Sequence, residues 1–175
     1  MKHLPLIVRS LALVDCEVRA TMRAVVAGEK PWPLFMTGQA GVGKTCAALC
    51  LLDLVQYGEY FTVADLCEKL TNAAFGRLEW SQGGRGGIMT ATMFRRCYLA
   101  GPELLVLDEL GLRDSVSDAH YETVYRTIEL RLGKPFIVIS NHGLDQLGKI
   151  YDDRTASRLV AGTVIEIGGE DRRLA

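Results

Sequence analysis

The stretch Gly38-Gln-Ala-Gly-Val-Gly-Lys-Thr45 decides the fold of this chain. It lies between an apolar run at 33–37 and a helical stretch at 46–52, and it matches the pattern G-x-x-x-x-G-K-[ST]. Its glycines let the backbone curl until successive N–H groups point inward, and the following helix adds its positive end to the same site. A strand, this loop and a helix in succession therefore predict a phosphate-binding loop rather than a chance glycine turn.

Two side chains of the loop have a direct use in binding a nucleotide. The Lys44 ammonium can neutralise the terminal phosphates, and the Thr45 hydroxyl can ligate Mg²⁺. The predicted nucleotide-binding residues of the loop are Gly38, Gln39, Ala40, Gly41, Val42, Gly43, Lys44 and Thr45.

Composition and charge exclude several classes of protein. The chain has 175 residues, of which 49% are apolar and 23% charged, so it can bury an ordinary core and is not expected to be disordered. Its net charge of -1 means that binding to nucleic acid would need a local basic patch. Five cysteines without a C-x-x-C pair argue against a disulfide framework and structural zinc, and they favour reducing cytosol. No apolar run approaches the ~18 residues of a membrane helix, so no membrane partner is expected.

Short apolar runs alternate with helical patterns, which predicts an α/β fold with a buried parallel sheet. We expect one domain over 1–175, with a helical lead-in at 1–30 and a nucleotide-binding core at 31–175. The predicted strands are 33–37, 60–63, 104–107, 136–140 and 163–167.

Two helices between these strands have predicted starts and faces. The segment Thr62-Val-Ala-Asp65 resembles a capping box, and so does the segment Ser115-Val-Ser-Asp118. Gly76 should end the first helix, and Gly133 with Pro135 the second. The glycine-rich segment 81–87 is expected to be a mobile loop. The predicted buried faces are Leu66, Cys67, Leu70 and Ala74 in the first helix, and Tyr121, Val124, Tyr125, Ile128 and Leu132 in the second.

Two adjacent carboxylates follow the third predicted strand. Asp108 would orient Mg²⁺ through its water shell, and Glu109 is the candidate general base that polarises an attacking water. An exposed acidic turn is the alternative, but it is less convincing beside a phosphate loop. Because a kinase has no need of a water-activating acid there, Glu109 favours hydrolysis over phosphoryl transfer to a bound acceptor.

Further polar residues lie beyond the fourth strand. Asn141 could hydrogen-bond the attacking water or the γ-phosphate, although Asn is also common in turns. Arg154 and Arg158 are four residues apart on one helical face, so both can point at one partner. They could neutralise the charge that develops on a phosphate of a neighbouring subunit, or they could simply pair with Asp152 or Asp153 on an exposed face.

Together these motifs resemble the AAA+ ATPases, and more narrowly the DnaC-type helicase loaders and the IstB-type transposition helpers. The resemblance runs over 33–173 and rests on GQAGVGKT, LLVLDELG, GKPFIVISN and YDDRTASRL. It implies that Lys44 and Thr45 are the Walker A pair, that Asp108 and Glu109 form Walker B, and that Asn141 is sensor 1.

The resemblance also implies roles for several arginines. Arg158 matches the arginine finger, with Arg154 as an accessory candidate, and Arg172 or Arg173 would contact the nucleotide within the same chain. Arg131 matches a position that is often arginine in the group, and no role is assigned to it.

At the level of architecture, the resemblance implies a P-loop NTPase core of the AAA+ type. Its parallel five-stranded sheet would have the order 5-1-4-3-2 between helices, with the lid missing or minimal. ATP would lie between subunits that associate into a dimer or a spiral. Relatives of this kind usually have an extra amino-terminal region that binds the helicase or the transposase, whereas only residues 1–32 precede the first predicted strand here, so the resemblance does not extend to partner recognition.

Relatives of this kind bind DNA through elements after the second strand. In this chain that region contains three aromatic residues, Trp80, Phe94 and Tyr98, which could stack on bases or belong to the core. The candidate DNA-binding residues are Arg77, Arg85, Arg95 and Arg96.

The preferred hypothesis is a cytoplasmic ATPase of a bacterial or phage-infected cell that loads a replicative helicase onto DNA. Its hydrolysis would be stimulated by DNA and by oligomerisation, and single-stranded DNA is favoured over duplex. One alternative is a transposition helper that binds duplex DNA and recruits a transposase. A small-molecule kinase built on the same loop, and a binding module without turnover, are the hypotheses of other classes.

Overall fold

The computed structural model describes residues 4–5, 9–113 and 115–171. Its central feature is a parallel sheet of five strands. A separate antiparallel hairpin lies between the second and third strands of that sheet in the chain. The strands are β1 (Leu34–Thr37), β2 (Gly58–Thr62), β3 (Glu79–Gln82), β4 (Arg85–Ile88), β5 (Leu104–Leu110), β6 (Phe136–Ser140) and β7 (Thr163–Glu166).

Seven α-helices connect these strands in the part of the chain that the structure describes. They are α1 (Cys16–Val26), α2 (Lys44–Leu52), α3 (Val63–Ala74), α4 (Ala91–Phe94), α5 (Asp118–Arg131), α6 (Leu144–Ile150) and α7 (Asp153–Val160). A 3₁₀ turn at Leu11–Leu13 precedes α1, and a π-helical turn at Arg95–Ala100 continues α4. Within the described residues, no helix is long and apolar enough to span a bilayer.

The order of the five parallel strands is β2-β5-β6-β1-β7. With the hairpin strands left out of the numbering, this is the predicted order 5-1-4-3-2. The phosphate loop therefore follows a central strand, and β5 and β6 bring their carboxyl ends beside it. Ligands of open α/β sheets bind at this edge.

Both faces of the sheet are buried, because successive side chains of a strand point to opposite faces. Leu34 and Met36 of β1 pack with α1 and α2 in one core. Phe35, from the same strand, packs with α3, α4 and α5 in the other core. The result is a layer of helices on each side of the sheet.

The start of α3 confirms its predicted cap, whereas α5 begins later than expected. Thr62 accepts a hydrogen bond from the backbone N–H of Asp65. In α5 the N-cap is Ser117, which accepts from the N–H of His120, so the prediction of Ser115 is wrong. Two residues of the predicted buried faces are exposed: Ala74, where Ala73 is buried instead, and Leu132, which is 45% exposed beyond the end of α5. Cys67, Tyr121 and Tyr125 are half-buried.

The glycine-rich segment 81–87 is not an irregular loop but most of a β-hairpin. Gly83 and Gly84 both have positive φ, 57° and 78°, and together form its two-residue turn. A turn with positive φ at both positions matches the right-handed twist of the strands it joins, and glycine adopts it without strain. The glycines that suggested disorder thus provide the turn.

Candidate functional site

The phosphate loop has the strand-loop-helix form that its sequence predicts. β1 ends at Thr37 and α2 begins at Lys44, with positive φ at Gly38, Gly41 and Gly43. A β-carbon on Gly38 would lie 2.1 Å from the carbonyl oxygen of Ile167, which follows β7. Only glycine therefore allows the end of β7 to pass beside the start of the loop.

Lys44 is buried to 6% exposure and spans the curled loop. Its Nζ donates to the carbonyl oxygens of Gly38 and Gln39, both at 2.7 Å, and to Oδ1 of Asn141 at 2.8 Å. The ammonium thus lies at the centre of the loop and contacts the predicted sensor residue directly.

Thr45 and Asp108 also meet at this site. The Thr45 hydroxyl donates to Oδ2 of Asp108 at 2.8 Å, and the hydroxyl of Tyr60 donates to the same oxygen at 2.9 Å. Burial and the Asp108 charge raise the pKa of Tyr60, which therefore stays a donor. A buried carboxylate beside a hydroxyl and a phosphate loop fits Mg²⁺, which usually takes one or two protein oxygens and completes its shell with water and phosphate. Asp108 and Thr45 are the residues that would hold it.

A bulge in β5 separates the roles of the two adjacent acids. The register with β6 shifts between Leu107 and Leu110, and Glu109 has a φ of 62°. The backbone N–H of Glu109 donates to Oδ1 of Asp108 at 2.7 Å. The bulge therefore leaves Asp108 buried at 4% exposure while the Glu109 side chain is exposed at the edge of the sheet.

The pKa of Glu109 is raised above its usual value of 4.5. Partial burial is the main cause, followed by the charges of Asp108 and Asp65. A carboxylate with a raised pKa is a stronger base, so its environment suits the removal of a proton from water.

Asn141 is held in place by its neighbour in the sequence. The buried Ser140 hydroxyl donates to the carbonyl oxygen of Leu110 at 2.7 Å and accepts from the N–H of His142 at 2.9 Å. Thr37 donates to the carbonyl oxygen of His142 at 2.9 Å. These bonds tie the ends of β1, β5 and β6 together around the Asn141 side chain.

The two arginines of α7 lie apart from this network and contact their own chain. Arg158 pairs with Glu129 and donates to the hydroxyl of Tyr125 at 2.8 Å. Its guanidinium also lies 4.7 Å from the centre of the Tyr125 ring. Arg154 is exposed and accepts, through its carbonyl oxygen, a bond of 3.1 Å from Arg158. The predicted Arg172 falls outside the described residues.

Arg131 is a buried residue that hydrogen-bonds backbone carbonyl oxygens. It is 1% exposed, and its guanidinium donates to the carbonyl oxygens of Pro102 at 2.9 Å and of Pro135. Weaker contacts reach the carbonyl oxygens of Leu99 and Glu103. Burial lowers its pKa to about 10, and this arginine joins the end of α5 to the segment that leads into β5.

The four candidate DNA-binding arginines are all at least partly accessible. Arg77 lies 5.3 Å from the centre of the Phe75 ring, and Arg85 is on the exposed hairpin. Arg95 and Arg96 are on the π-helical turn, where Arg95 is half-buried and Arg96 exposed.

The aromatic residues predicted to accompany these arginines line one cavity of about 840 Å³. Phe94 is 3% exposed and stacks on Tyr98 with ring centres 5.1 Å apart, so its ring belongs largely to the core. None of the four arginines lines the cavity, whereas three carboxylates and one lysine do: Glu59, Asp65, Glu79 and Lys69. The aromatics and the arginines therefore do not form one mixed surface at this cavity.

Sequence reasoning missed two residues at this site. Tyr60 was assigned only to an apolar strand, and no motif signals its contact with Asp108. The Asp171 carboxylate lies against the loop, since a β-carbon on Gly41 would stand 1.8 Å from its Oδ1. Its position depends on the path of the chain after β7, for which the sequence offers no spacing rule.

Comparisons with known proteins identify the fold of this chain but do not assign it to a sequence family. No protein-family profile matches the chain, and no curated protein matches it. DnaA from Aquifex aeolicus with AMPPCP bound has a TM-score of 0.68 and 19% identity, over 90% of this chain and 48% of that one. DnaI has a TM-score of 0.63 and 22% identity, over 94% of this chain and 90% of DnaI. This chain spans about half the length of the two DnaA chains solved with AMPPCP.

A more distant similarity points the same way. ORC1 from Aeropyrum pernix, solved in complex with DNA, has a TM-score of 0.54 and 15% identity, over 95% of this chain and 47% of ORC1. These structural neighbours are AAA+ ATPases, and likeness at such identities is evidence about the fold. The sheet order, the phosphate loop and these matches together show that the chain has the fold of the AAA+ P-loop NTPases.

Proposed function

We propose that this chain binds and hydrolyses ATP with Mg²⁺ and acts on DNA as a helicase loader of the DnaC type. One observation carries the proposal: Lys44, Thr45, Asp108 and Asn141 come from three different strand ends and meet in hydrogen-bonded contact beside the phosphate loop. These residues belong to three motifs, and Lys44 and Asn141 are 97 positions apart in the chain, so their convergence supports a nucleotide site.

Binding would rest on the loop backbone and on Lys44. The N–H groups of the loop and the amino end of α2 present partial positive charge to the phosphates. Lys44 already lies at the centre of the loop, so it can exchange carbonyl partners for phosphate oxygens without leaving its place. Mg²⁺, held by Thr45 and through water by Asp108, would supply positive charge to the phosphate oxygens.

Hydrolysis would rest on Glu109 and Asn141. Glu109 follows the metal-binding acid directly, and its raised pKa suits it to accept a proton from the attacking water. Asn141 touches Lys44, so its amide lies where it can sense the terminal phosphate. An acid in this place supports hydrolysis over transfer to an acceptor, which is the main argument against a kinase.

DNA as the partner is supported by the neighbours and by the exposed arginines. Among the neighbours, DnaA has been solved with AMPPCP and single-stranded DNA, and ORC1 with DNA. In this chain Arg77, Arg85 and Arg96 are exposed on or beside the hairpin and the π-helical turn. We propose that these groups and Arg95 contact phosphates, and that the chain associates with itself when ATP and DNA are bound.

The decisive experiment compares wild type with Glu109→Gln in ATP turnover and in nucleotide binding. We expect Glu109→Gln to lower turnover by roughly 10² to 10⁴-fold, the usual effect of removing a general base, while ATP still binds. Glu103→Gln is the matched control, because Glu103 is also exposed but lies just before the first residue of β5. Turnover that is equal in Glu109→Gln and wild type would contradict the assignment.

The products and the DNA preference test the finer parts of the proposal. Free phosphate indicates an ATPase, and a phosphorylated acceptor indicates a kinase. Assembly on single-stranded DNA supports a helicase loader, whereas a preference for duplex DNA indicates the transposition helper. Binding should weaken steeply with salt, and Arg85→Ala or Arg95→Ala should reduce that slope by about one phosphate contact each. A wild-type protein that neither hydrolyses ATP nor assembles on DNA would refute the function.

A further inference from the structure

Tyr60 lies on the edge strand β2, on the same face as the metal-binding acid. In the parallel pairing of β2 with β5, Thr62 is opposite Asp108 and Tyr60 is opposite Val106. Because side chains alternate along a strand, Tyr60 and Asp108 both point toward α2, where Thr45 lies in the first turn. The strand register therefore brings the Tyr60 hydroxyl to the Asp108 carboxylate.

Three donors fix the orientation of that carboxylate. Oδ2 accepts from Tyr60 at 2.9 Å and from Thr45 at 2.8 Å, while Oδ1 accepts from the N–H of Glu109 at 2.7 Å. Asp108 is 4% exposed and Tyr60 9%, so water has little access to replace any of these bonds. A buried carboxylate that loses a donor is free to rotate or is left poorly satisfied.

The Thr45 hydroxyl is one of these three donors, and it is also a candidate ligand of Mg²⁺. The Thr45 hydroxyl is expected to turn toward the metal when Mg²⁺ and nucleotide bind, which removes its bond to Oδ2. The backbone donor from Glu109 reaches only Oδ1. Of the three donors to this carboxylate, Tyr60 is then the one that still holds Oδ2.

We infer that Tyr60 is a positioning residue, which holds the Asp108 carboxylate in the orientation that the Mg²⁺ form of the nucleotide needs. The inference rests on the proposed function. It assigns to a tyrosine of the edge strand a role that no motif of the sequence predicts. Removing a residue that hydrogen-bonds a metal ligand without binding the metal itself typically lowers metal affinity about 10- to 100-fold.

The test is the Mg²⁺ dependence of nucleotide binding, which needs no turnover. A fluorescent ATP analogue is titrated onto wild type and Tyr60→Phe, both in EDTA and across a series of Mg²⁺ concentrations. We expect Tyr60→Phe to raise the Mg²⁺ concentration for half-maximal enhancement of binding about tenfold. Its affinity for the analogue in EDTA should stay within about twofold of wild type, because the loop and Lys44 are unchanged.

Tyr57→Phe is the matched control, since Tyr57 lines the same cavity as Tyr60 but donates its hydroxyl to the carbonyl oxygen of Cys97. It should leave the Mg²⁺ dependence unchanged. An unchanged Mg²⁺ midpoint in folded Tyr60→Phe would overturn the inference. A loss of analogue affinity that is equal in EDTA and in Mg²⁺ would also overturn it, because it would show a merely structural role.

A double-mutant cycle tests whether the effect of Tyr60→Phe runs through Asp108. In the Asp108→Asn background, Tyr60→Phe should have no further effect on the Mg²⁺ midpoint, since the carboxylate it positions is gone. Additive effects would contradict the inference. Wild-type protein that binds the analogue in a Mg²⁺-dependent way but does not hydrolyse ATP would refute hydrolysis and leave the role of Tyr60 to be decided by these variants.

Discussion

At the scale of single residues, the carboxylate of Asp171 occupies the space beside Gly41 in the phosphate loop. Gly41 has a φ of 81°, and a β-carbon there would lie within 2.6 Å of both Asp171 oxygens. A negative side chain at an anion-binding loop opposes the phosphates of a nucleotide, so Asp171 should move aside or weaken binding when ATP enters.

The substitution Asp171→Asn should therefore strengthen ATP binding. Removing one charge at contact distance from phosphate in a wet site is worth about 1 kcal/mol, or roughly fivefold in the dissociation constant. Isothermal titration of ATP in Mg²⁺ measures it. Glu170→Gln, the exposed neighbour, is the control and should change affinity much less. Weaker ATP binding in Asp171→Asn would show instead that this carboxylate supports the loop.

At the scale of elements, the end of α5 is fixed by a buried arginine and not by its apolar face. Arg131 is the last residue of the helix, and it donates to backbone carbonyl oxygens of the segment before β5 and of Pro135 before β6. Its Nε is a buried polar atom without a hydrogen-bond partner among the described residues. Neighbouring strands β5 and β6 are thus connected at their amino ends, while Asp108 and Asn141 stand at the opposite ends.

Arg131→Met should destabilise the protein without touching the nucleotide site. It keeps much of the side-chain volume but leaves several buried carbonyl oxygens without donors, which costs about 3 kcal/mol. For a chain of this size we expect the Tm to fall by roughly 6–12 °C in calorimetry. Arg126→Met, on the exposed face of the same helix, is the control and should shift the Tm little. An unchanged Tm for Arg131→Met would refute the structural role.

At the scale of the whole molecule, α2 and α7 pack against opposite faces of the sheet, since Leu49 belongs to one core and Leu159 to the other. Arg158 pairs with Glu129 and lies over Tyr125, partly accessible, and Arg154 is exposed beside it. The hydrogen bonds described for Lys44 go to Gly38, Gln39 and Asn141. If these guanidiniums act on ATP, they act on the ATP of a neighbouring subunit, and Arg158 must leave Glu129 to do so.

A mixing experiment tests this shared site. Arg158→Ala should bind ATP but lose about 10³-fold or more in DNA-stimulated turnover, as when an arginine finger is removed, and Lys44→Ala should not bind ATP. Mixed one to one, the two variants should recover a turnover well above the sum of their separate turnovers. The Lys44→Ala subunit still supplies Arg158, and the Arg158→Ala subunit still has an intact nucleotide site. Arg126→Ala alone should behave as wild type. Mixtures that stay inactive, or Arg158→Ala with full turnover, would refute the shared site.

Much of the core of the site was predictable because its residues follow apolar strands. The carboxyl ends of parallel strands meet at one edge, so Lys44, Asp108 and Asn141 could be expected near one another from their places after β1, within β5 and after β6. The contact of Lys44 with Asn141 agrees with that expectation. The roles of Glu109, Arg154 and Arg158 stay predictions.

Other features could not be read from local patterns. The glycine segment around Gly83 and Gly84 suggested a loop, because glycine is common both in irregular loops and in hairpin turns with positive φ. The spacing of Ser115 and Asp118 predicts a capping box at Ser115, but Ser117 also has a side chain that can cap a helix, and it is the N-cap of α5.

The sequence by itself determined the phosphate loop and the α/β class, because glycine spacing and apolar runs act over short distances, whereas the order of the five parallel strands followed only from the resemblance to the AAA+ ATPases. Only the tertiary structure decided that Tyr60 bonds Asp108, that Asp171 lies on Gly41 and that Arg131 is buried. Each of these contacts joins residues far apart in the chain, and its partner is selected by strand register and close packing, which no local motif encodes.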